Sequence, residues 1–275
     1  MTMAFLAEMD GAARLGWLLA ALLGAGLVVA LGRLVKLRAK HEFKATFGSW
    51  PVPTVDPGAF DEAFRIGPLG ATRDAEVLYI SSVGTPAGTS DREAWVLAVL
   101  AKRSRSIFEF GTATGKTTYL LAANAPADAA VHTLTLSPEE IAAYRRDGGD
   151  AGHDTRAALG ASRFSRFYYQ GTPVDGKVRQ YFGDSKTFDH GALKGRCDLI
   201  FVDGSHARSY VESDSEKALE MLAPGGVIVW HDYRGPYRPL GVYQGLNALV
   251  GRLGAGPGGL VHISGTSLVA YRKAR

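Results

Sequence analysis

An unbroken apolar run marks the first part of the chain. Leu15 to Gly32, LGWLLAALLGAGLVVALG, carries no charge, and Leu34, Val35 and Leu37 extend it. The run shows no polar face. At ~1.5 Å per residue such a helix is long enough to cross a bilayer core, with Arg33 and Lys36 snorkelling to the interface. From residue 89 onward the pattern changes. Ser90-Asp91-Arg92-Glu93 is a capping box ahead of a helix from Ala94 to about Lys102. Short apolar runs follow at Ser106–Phe110, Val131–Leu136, Val178–Phe182, Asp198–Val202 and Gly226–Trp230. Stretches with helical spacing, Thr117–Asn124, Pro138–Arg146 and Arg208–Leu222, separate several of them. Short strands alternating with helices predict βαβ units and a parallel sheet. At the end, Leu260–Ser264 and Ser267–Arg272 flank Gly265-Thr266, a hairpin signal. The fold class this predicts is α/β: a mostly parallel, Rossmann-like sheet with a C-terminal antiparallel hairpin, plus an N-terminal transmembrane helix.

Three regions follow from the pattern. Residues 1–40 read as a membrane anchor with a basic flank, 41–88 as a linker or cap, and 89–275 as the main domain. The anchor's flanks are asymmetric: Glu8, Asp10 and Arg14 precede it, and Arg33, Lys36, Arg38, Lys40 and Lys44 follow. The positive-inside rule then gives a single-pass protein whose main domain lies on the cytoplasmic side. A cleaved signal peptide would begin with basic residues, and this start is acidic. A buried or oligomer-forming helix is the other reading, although Gly24 and Gly26 do not make a GxxxG spacing. In the linker, Pro51, Pro53, Pro57, Pro68 and Pro86 argue against long helices. Phe43, Phe47, Trp50, Phe60 and Phe64 argue for a segment that packs on the main domain and covers its pocket.

Charge and cysteine content narrow the classes. The formal charge is only +4, and part of it sits in the flank of the anchor, so no nucleic-acid footprint is indicated. Cys197 is the only cysteine, which rules out an intrachain disulfide and a cysteine-based zinc site. Beside an apolar strand pattern it reads as a small, inert hydrophobe.

Two motifs carry candidate chemistry. Glu109-Phe110-Gly111-Thr112-Ala113-Thr114-Gly115 follows a strand and opens a helix. Glycines there let a ligand approach the backbone, and the helix start offers free N–H groups. The same residues read GTATGKT and resemble a phosphate-binding P-loop, but with three residues where that loop has four between glycine and Gly-Lys. The second motif runs from Cys197 to Tyr233, CDLIFVDGSHARSYVESDSEKALEMLAPGGVIVWHDY. It is strand, helix, Pro-Gly-Gly and strand, with Asp203-Gly204-Ser205-His206 and His231-Asp232-Tyr233 at the strand ends. Open α/β sheets bind ligands at that edge.

With IFEFGTATGKTTYLLA, VHTLTL, YFGDSKTFD and HISGTSLVAYR, these motifs make residues from about Ser90 to Arg272 resemble class I S-adenosylmethionine (SAM) dependent methyltransferases acting on small molecules. The resemblance implies that Glu109, Gly111, Thr112 and Gly115 hold the amino-acid part of SAM, and that Asp184 and Ser185 lie beside the adenine. The alternative for Asp184 is a helix N-cap. Thr135 stands where the family places an acidic residue that binds the ribose. Threonine cannot make that charged, bidentate bond. Glu139 or Glu140 could substitute.

Metal-dependent O-methyltransferases of the catechol and caffeoyl-CoA kind resemble this site as well. That implies Asp203, His231 and Asp232 as candidate ligands of Mg²⁺ or another divalent cation. His231 departs from their oxygen-only pattern. His206 matches the position of the plant-type enzymes' lysine and is the candidate general base, with Asp203 beside it. Tyr210 and Asp214, a turn apart on the next helix, could face the pocket, although a solvated helix face is the leading reading. The function expected is methyl transfer to a hydroxyl of a small-molecule or lipid-linked acceptor. The alternatives are a methyltransferase fold used for binding alone, or a P-loop nucleotide-binding protein. Oligomeric state is not readable, and a homodimer is among the expectations because related domains are often dimers.

Overall fold

The computed structural model describes residues 11–41, 50–81, 84, 88–145, 147–235 and 240–275. Phe43, Lys44, Phe47, Pro86 and Arg146, all used in the sequence reading, lie outside them. The chain divides into two compact units, Met1–Gly48 and Ser49–Arg275.

The described residues of the first unit form one helix, α1 (Gly11–His41). Its stretch Gly11–Val35 is long and apolar enough to cross a membrane.

The second unit is built on an eight-stranded sheet. Its strands are β1 (Thr54–Val55), β4 (Ser106–Phe110), β5 (Ala130–Thr135), β6 (Val178–Phe182), β7 (Cys197–Val202), β8 (Leu222–Trp230), β9 (Val261–Ile263) and β10 (Val269–Arg272), in the order β1-β9-β10-β8-β7-β4-β5-β6. A small separate ribbon pairs β2 (Ile66–Gly67) with β3 (Gly70–Ala71). Strands β6, β5, β4, β7 and β8 are parallel, and β10 enters antiparallel to both β8 and β9. The predicted hairpin is thus present, and its turn spans Ser264 to Leu268. β1, from the proline-rich segment, adds a parallel strand beside β9. Phe64 and Val52 of that segment are buried in the core.

Among the described residues, six helices have eight or more residues. After α1 come α2 (Asp91–Ala101), α3 (Lys116–Asn124), α4 (Gly152–Ala161), α5 (Arg208–Met221) and α6 (Leu240–Leu253). The capping box of α2 forms as read: Ser90 accepts from the Glu93 N–H, and Glu93 accepts from the Ser90 N–H. Pro138–Ala143 is a 3₁₀ stretch rather than an α-helix. Alternation along the strands sorts the core into two faces. Ile107, Leu199, Phe201 and Val229 pack with α2 and α3 residues. Phe108, Phe110, Ile200, Val202 and Trp230 pack with α5 and α6 residues.

Chain order reverses at β4, which has β5 on one side and β7 on the other. This is the topological switch point, where the ends of adjacent strands diverge and leave a crevice. Backbone bonds tie those ends together: Gly111 N–H to the Leu134 carbonyl, Asp203 N–H to Phe110, His231 N–H to Val202, and Gly183 N–H to Thr135.

Candidate active site

The glycine turn after β4 is fixed by close backbone packing. Gly111 has φ +97°, and a Cβ there would stand 2.1 Å from the Asp203 carbonyl oxygen. Gly115, at φ +73°, starts α3 against Phe167, whose Cβ would lie 2.7 Å from an added methyl. Both positions exclude other residues. Ala113 adopts a left-handed φ of +44° without being glycine, a strained conformation at the mouth of the crevice. Lys116, which a phosphate-binding loop would turn toward a ligand, donates instead to the Ser81 carbonyl.

A cleft of about 560 Å³, counting the space open to solvent, occupies the switch point. Gly111, Thr135, Asp184, Ser185 and Asp203 of the expected site line it, with Ala113 and Gly204. Asp184 is not a helix N-cap. One carboxylate oxygen accepts from the Lys186 N–H at 2.9 Å, and the other from the Tyr210 hydroxyl at 2.9 Å. Glu139 and Glu140 do not reach the cleft, and Glu140 closes the capping box of its own turn with Ser137. The described residues of the 50–81 segment do not line it either.

Glu109 and Thr112 stand elsewhere than the sequence reading placed them. Strand alternation puts Phe110 toward the α5 face and Glu109 toward α3. Glu109 is fully buried and accepts from Thr118 at 2.5 Å and Thr133 at 2.7 Å, while its other oxygen has no partner. Burial pushes its pKa up to about 8; the two hydroxyl bonds oppose the rise and the nearby Asp203 charge adds to it. Thr112 hydrogen-bonds Thr133 at 2.8 Å beneath the turn.

Tyr210 and Asp214 are not on a solvated face: both line the cleft, and both are buried. Tyr144 joins them, its ring stacked on Tyr210 at 4.5 Å between centroids. A helical spacing cannot say which face of α5 meets the sheet, and of the two readings open to these residues the structure takes the pocket-facing one.

The ends of β7 and β8 bring histidines and carboxylates together. His206 Nε2 lies 3.1 Å from Asp232. His231 Nδ1 lies 3.1 Å from Asp203 and 3.3 Å from Asp232, and its Nε2 lies 3.2 Å from Glu93. Arg234 also contacts Asp232. Burial alone would lower the pKa of His231, but the charges of Asp203 and Asp232 raise it well above the ordinary range. For Glu93, burial works upward, and the bond and charge of His231 with two bonds from Ser267 outweigh it and hold the carboxyl far below its usual range. His206 likewise rises: burial lowers it, and Asp232 more than offsets that. Asp232 sits at φ +63°, and its N–H donates to Ser267 Oγ. Gly241 at the start of α6 lets that helix approach the His206 carbonyl, where a Cβ would stand 2.2 Å away.

This geometry changes the candidate metal set. Asp203, His206 and Asp232 offer ligand atoms that all lie within 4.8 Å of one another. His231 is outside that set, although its Nδ1 lies beside Asp203 and Asp232. Glu93 and Gly241 were missed in the sequence. The capping box gave Glu93 a complete local explanation, and nothing near Gly241 pointed across the chain to His206.

Residues 108–233 match the family model described as a methyltransferase domain. No curated protein matches the chain. Among solved structures, the O-methyltransferase TomG from Streptomyces achromogenes, involved in tomaymycin synthesis and solved with SAM, is 21% identical; the match covers 68% of this chain and 82% of that one at a TM-score of 0.46. The Podospora anserina methyltransferase PaMTH1, bound to S-adenosylhomocysteine (SAH), is 18% identical over 68% of this chain and 80% of that one, TM-score 0.49. A Bacillus cereus O-methyltransferase solved with SAH is 21% identical over 69% and 84%, TM-score 0.44. The match to a methyltransferase domain spans the glycine turn, the switch-point crevice and both strand-end clusters, all carried by a mostly parallel, Rossmann-like sheet.

Proposed function

We propose that the protein transfers a methyl group from SAM to a hydroxyl oxygen of a small-molecule or lipid-linked acceptor, with α1 anchoring it in a membrane and the domain on the cytoplasmic side. The observation that carries the transfer reading is the His206–Asp232 pair at 3.1 Å, next to Asp203 on the cleft wall. The glycine-bounded edge of the cleft admits close backbone approach by a ligand, and the unpartnered carboxyl oxygen of Asp214 on its wall suits a polar one. Gly111, Thr135, Asp184 and Ser185 would hold it. When bound, SAM supplies a methyl group already activated by its sulfonium.

The protein's share is then alignment and proton removal. Asp232 accepts from His206 and fixes the imidazole, as an orienting carboxylate does for a catalytic histidine. His206 takes the acceptor's hydroxyl proton. Asp203, held by His231, lies beside the pair. The fold keeps this cluster in register through the bond from His231 N–H to Val202 and through Gly241 against His206.

A second reading rests on the ligand spacing of Asp203, His206 and Asp232. These would hold a divalent cation, whose chemistry would be Lewis-acid polarisation of the acceptor hydroxyl. In that case His206 is a ligand and not the base.

Calorimetric titration of the protein with SAH, followed by methyl transfer to catechol as a probe acceptor, tests the proposal. Micromolar SAH binding and methylated product support it. An absence of SAH binding, with or without Mg²⁺, would overturn it.

A further inference from the structure

Asp214 is a carboxylic acid that the mechanism above does not use. It sits on α5, 1% exposed, on the wall of the cofactor cleft. One oxygen is near Gly204, where a Cβ would stand 3.3 Å away, and the Ser185 hydroxyl bonds the carboxyl. The other oxygen, Oδ1, is buried and has no partner. Buried polar atoms in folded proteins find partners as a rule, and one left open on a cleft wall is satisfied by what enters the cleft. Two other carboxylates have an open oxygen, Glu109 and Asp232. Glu109 faces α3, away from the cleft, and Asp232 is surrounded by cations, so Asp214 alone points to a ligand.

Thr135 supplies the complementary fact. It lines the same cleft at the end of β5 and can offer a bound nucleoside only a neutral hydroxyl. We propose that Asp214 is a cofactor-contacting residue whose Oδ1 hydrogen-bonds an amino or hydroxyl group of the bound nucleoside. This deepens the SAM reading and rests on it. The surroundings of the carboxyl agree: burial raises its pKa to about 7, so near neutral pH much of it is an uncharged acid that can donate or accept a hydrogen bond.

The test is calorimetric titration of the full chain in detergent with SAH and, separately, with adenosine. Asp214→Ala should weaken both by about tenfold, the worth of one buried hydrogen bond. Wild-type affinity in the folded variant overturns the proposal. A loss seen with SAH but not adenosine also overturns it, since the contact would then be to the amino-acid part. Asp214→Asn keeps the shape and gives a second readout. Titration in buffers of different ionisation enthalpy should show proton exchange near pH 7 on wild-type binding that this variant lacks. Equal proton counts overturn the proposal. Collapse of both variants does so too, because the carboxyl would then serve folding. If the wild-type protein binds neither probe, the SAM reading itself fails.

Discussion

Glu93 and His231 stand 3.2 Å apart, carboxylate oxygen to Nε2, although 138 positions separate them in the chain. Glu93 caps α2 through Ser90 and also accepts from the N–H and the hydroxyl of Ser267, both at 2.7 Å. His231 passes the connection on to Asp203. One buried carboxylate thus joins a helix start, the hairpin turn and the ends of β7 and β8. Removing one partner of a buried charge pair typically costs about 3–5 kcal/mol. Glu93→Ala should lose that much in urea unfolding. A loss below about 1 kcal/mol would mean that His231 is held by its other contacts alone.

The His206–Asp232 pair makes a kinetic prediction. His206→Ala should lower kcat by about 10²- to 10⁴-fold, the usual worth of a general base, while SAH affinity stays at the wild-type value. Asp232→Asn, which leaves the ring unanchored, should lower kcat in the same direction. Unchanged turnover in the His206 variant removes it as the base.

Chelation separates the two readings of His206. The carboxylates of the cluster already face two cationic partners, His231 and Arg234. Charge neutralisation is therefore available within the protein, and transfer should survive EDTA treatment. Activity lost to EDTA and restored by Mg²⁺ or Mn²⁺ would place His206 among the ligands.

Glu109 and Asp214 give stability a pH dependence of known sign. Their folded-state pKa values are raised to about 8 and about 7. In the unfolded chain both ionise near pH 4. Between these limits the folded state binds more protons, so stability falls as pH rises through the window. Glu109→Gln removes one of the two contributions. Its melting temperature relative to wild type should climb between pH 5 and pH 8.5, by at most about 1.4 kcal/mol of stability per pH unit. A difference that stays flat across that range would show that Glu109 does not carry this shift.

Much of the fold was legible because period and turn chemistry are local. β4 and β6 match the apolar runs read from the sequence, and the α2 capping box needs only four consecutive residues. The site was legible in outline, since Gly111, Thr135, Asp184, Ser185 and Asp203 come together in one cleft. The misplacements share one cause: a side chain's direction depends on what lies across the sheet. Glu109 turns to Thr118 and Thr133, Asp214 turns inward, and His231 is held by Glu93 from the far end of the domain. None of these pairings leaves a mark in local spacing. α6, whose Gly241 braces His206, carried no chemical motif at all.

The division of the chain at Gly48 supplies the last prediction. Gly11–Val35 would span roughly 37 Å as a helix, more than a bilayer core of about 30 Å. Full-length protein should stay with membranes through an alkaline carbonate wash, and residues 49–275 should not. The shorter chain holds the whole sheet and every residue of the cleft, so its SAH affinity should equal that of the full chain. Transfer to a soluble hydroxyl acceptor should be equal as well. Transfer to an acceptor embedded in vesicles should fall in the shorter chain, because anchoring raises the local concentration of enzyme at the bilayer. Equal rates on both acceptors would remove the support for a lipid-linked substrate while leaving the methyl-transfer reading in place.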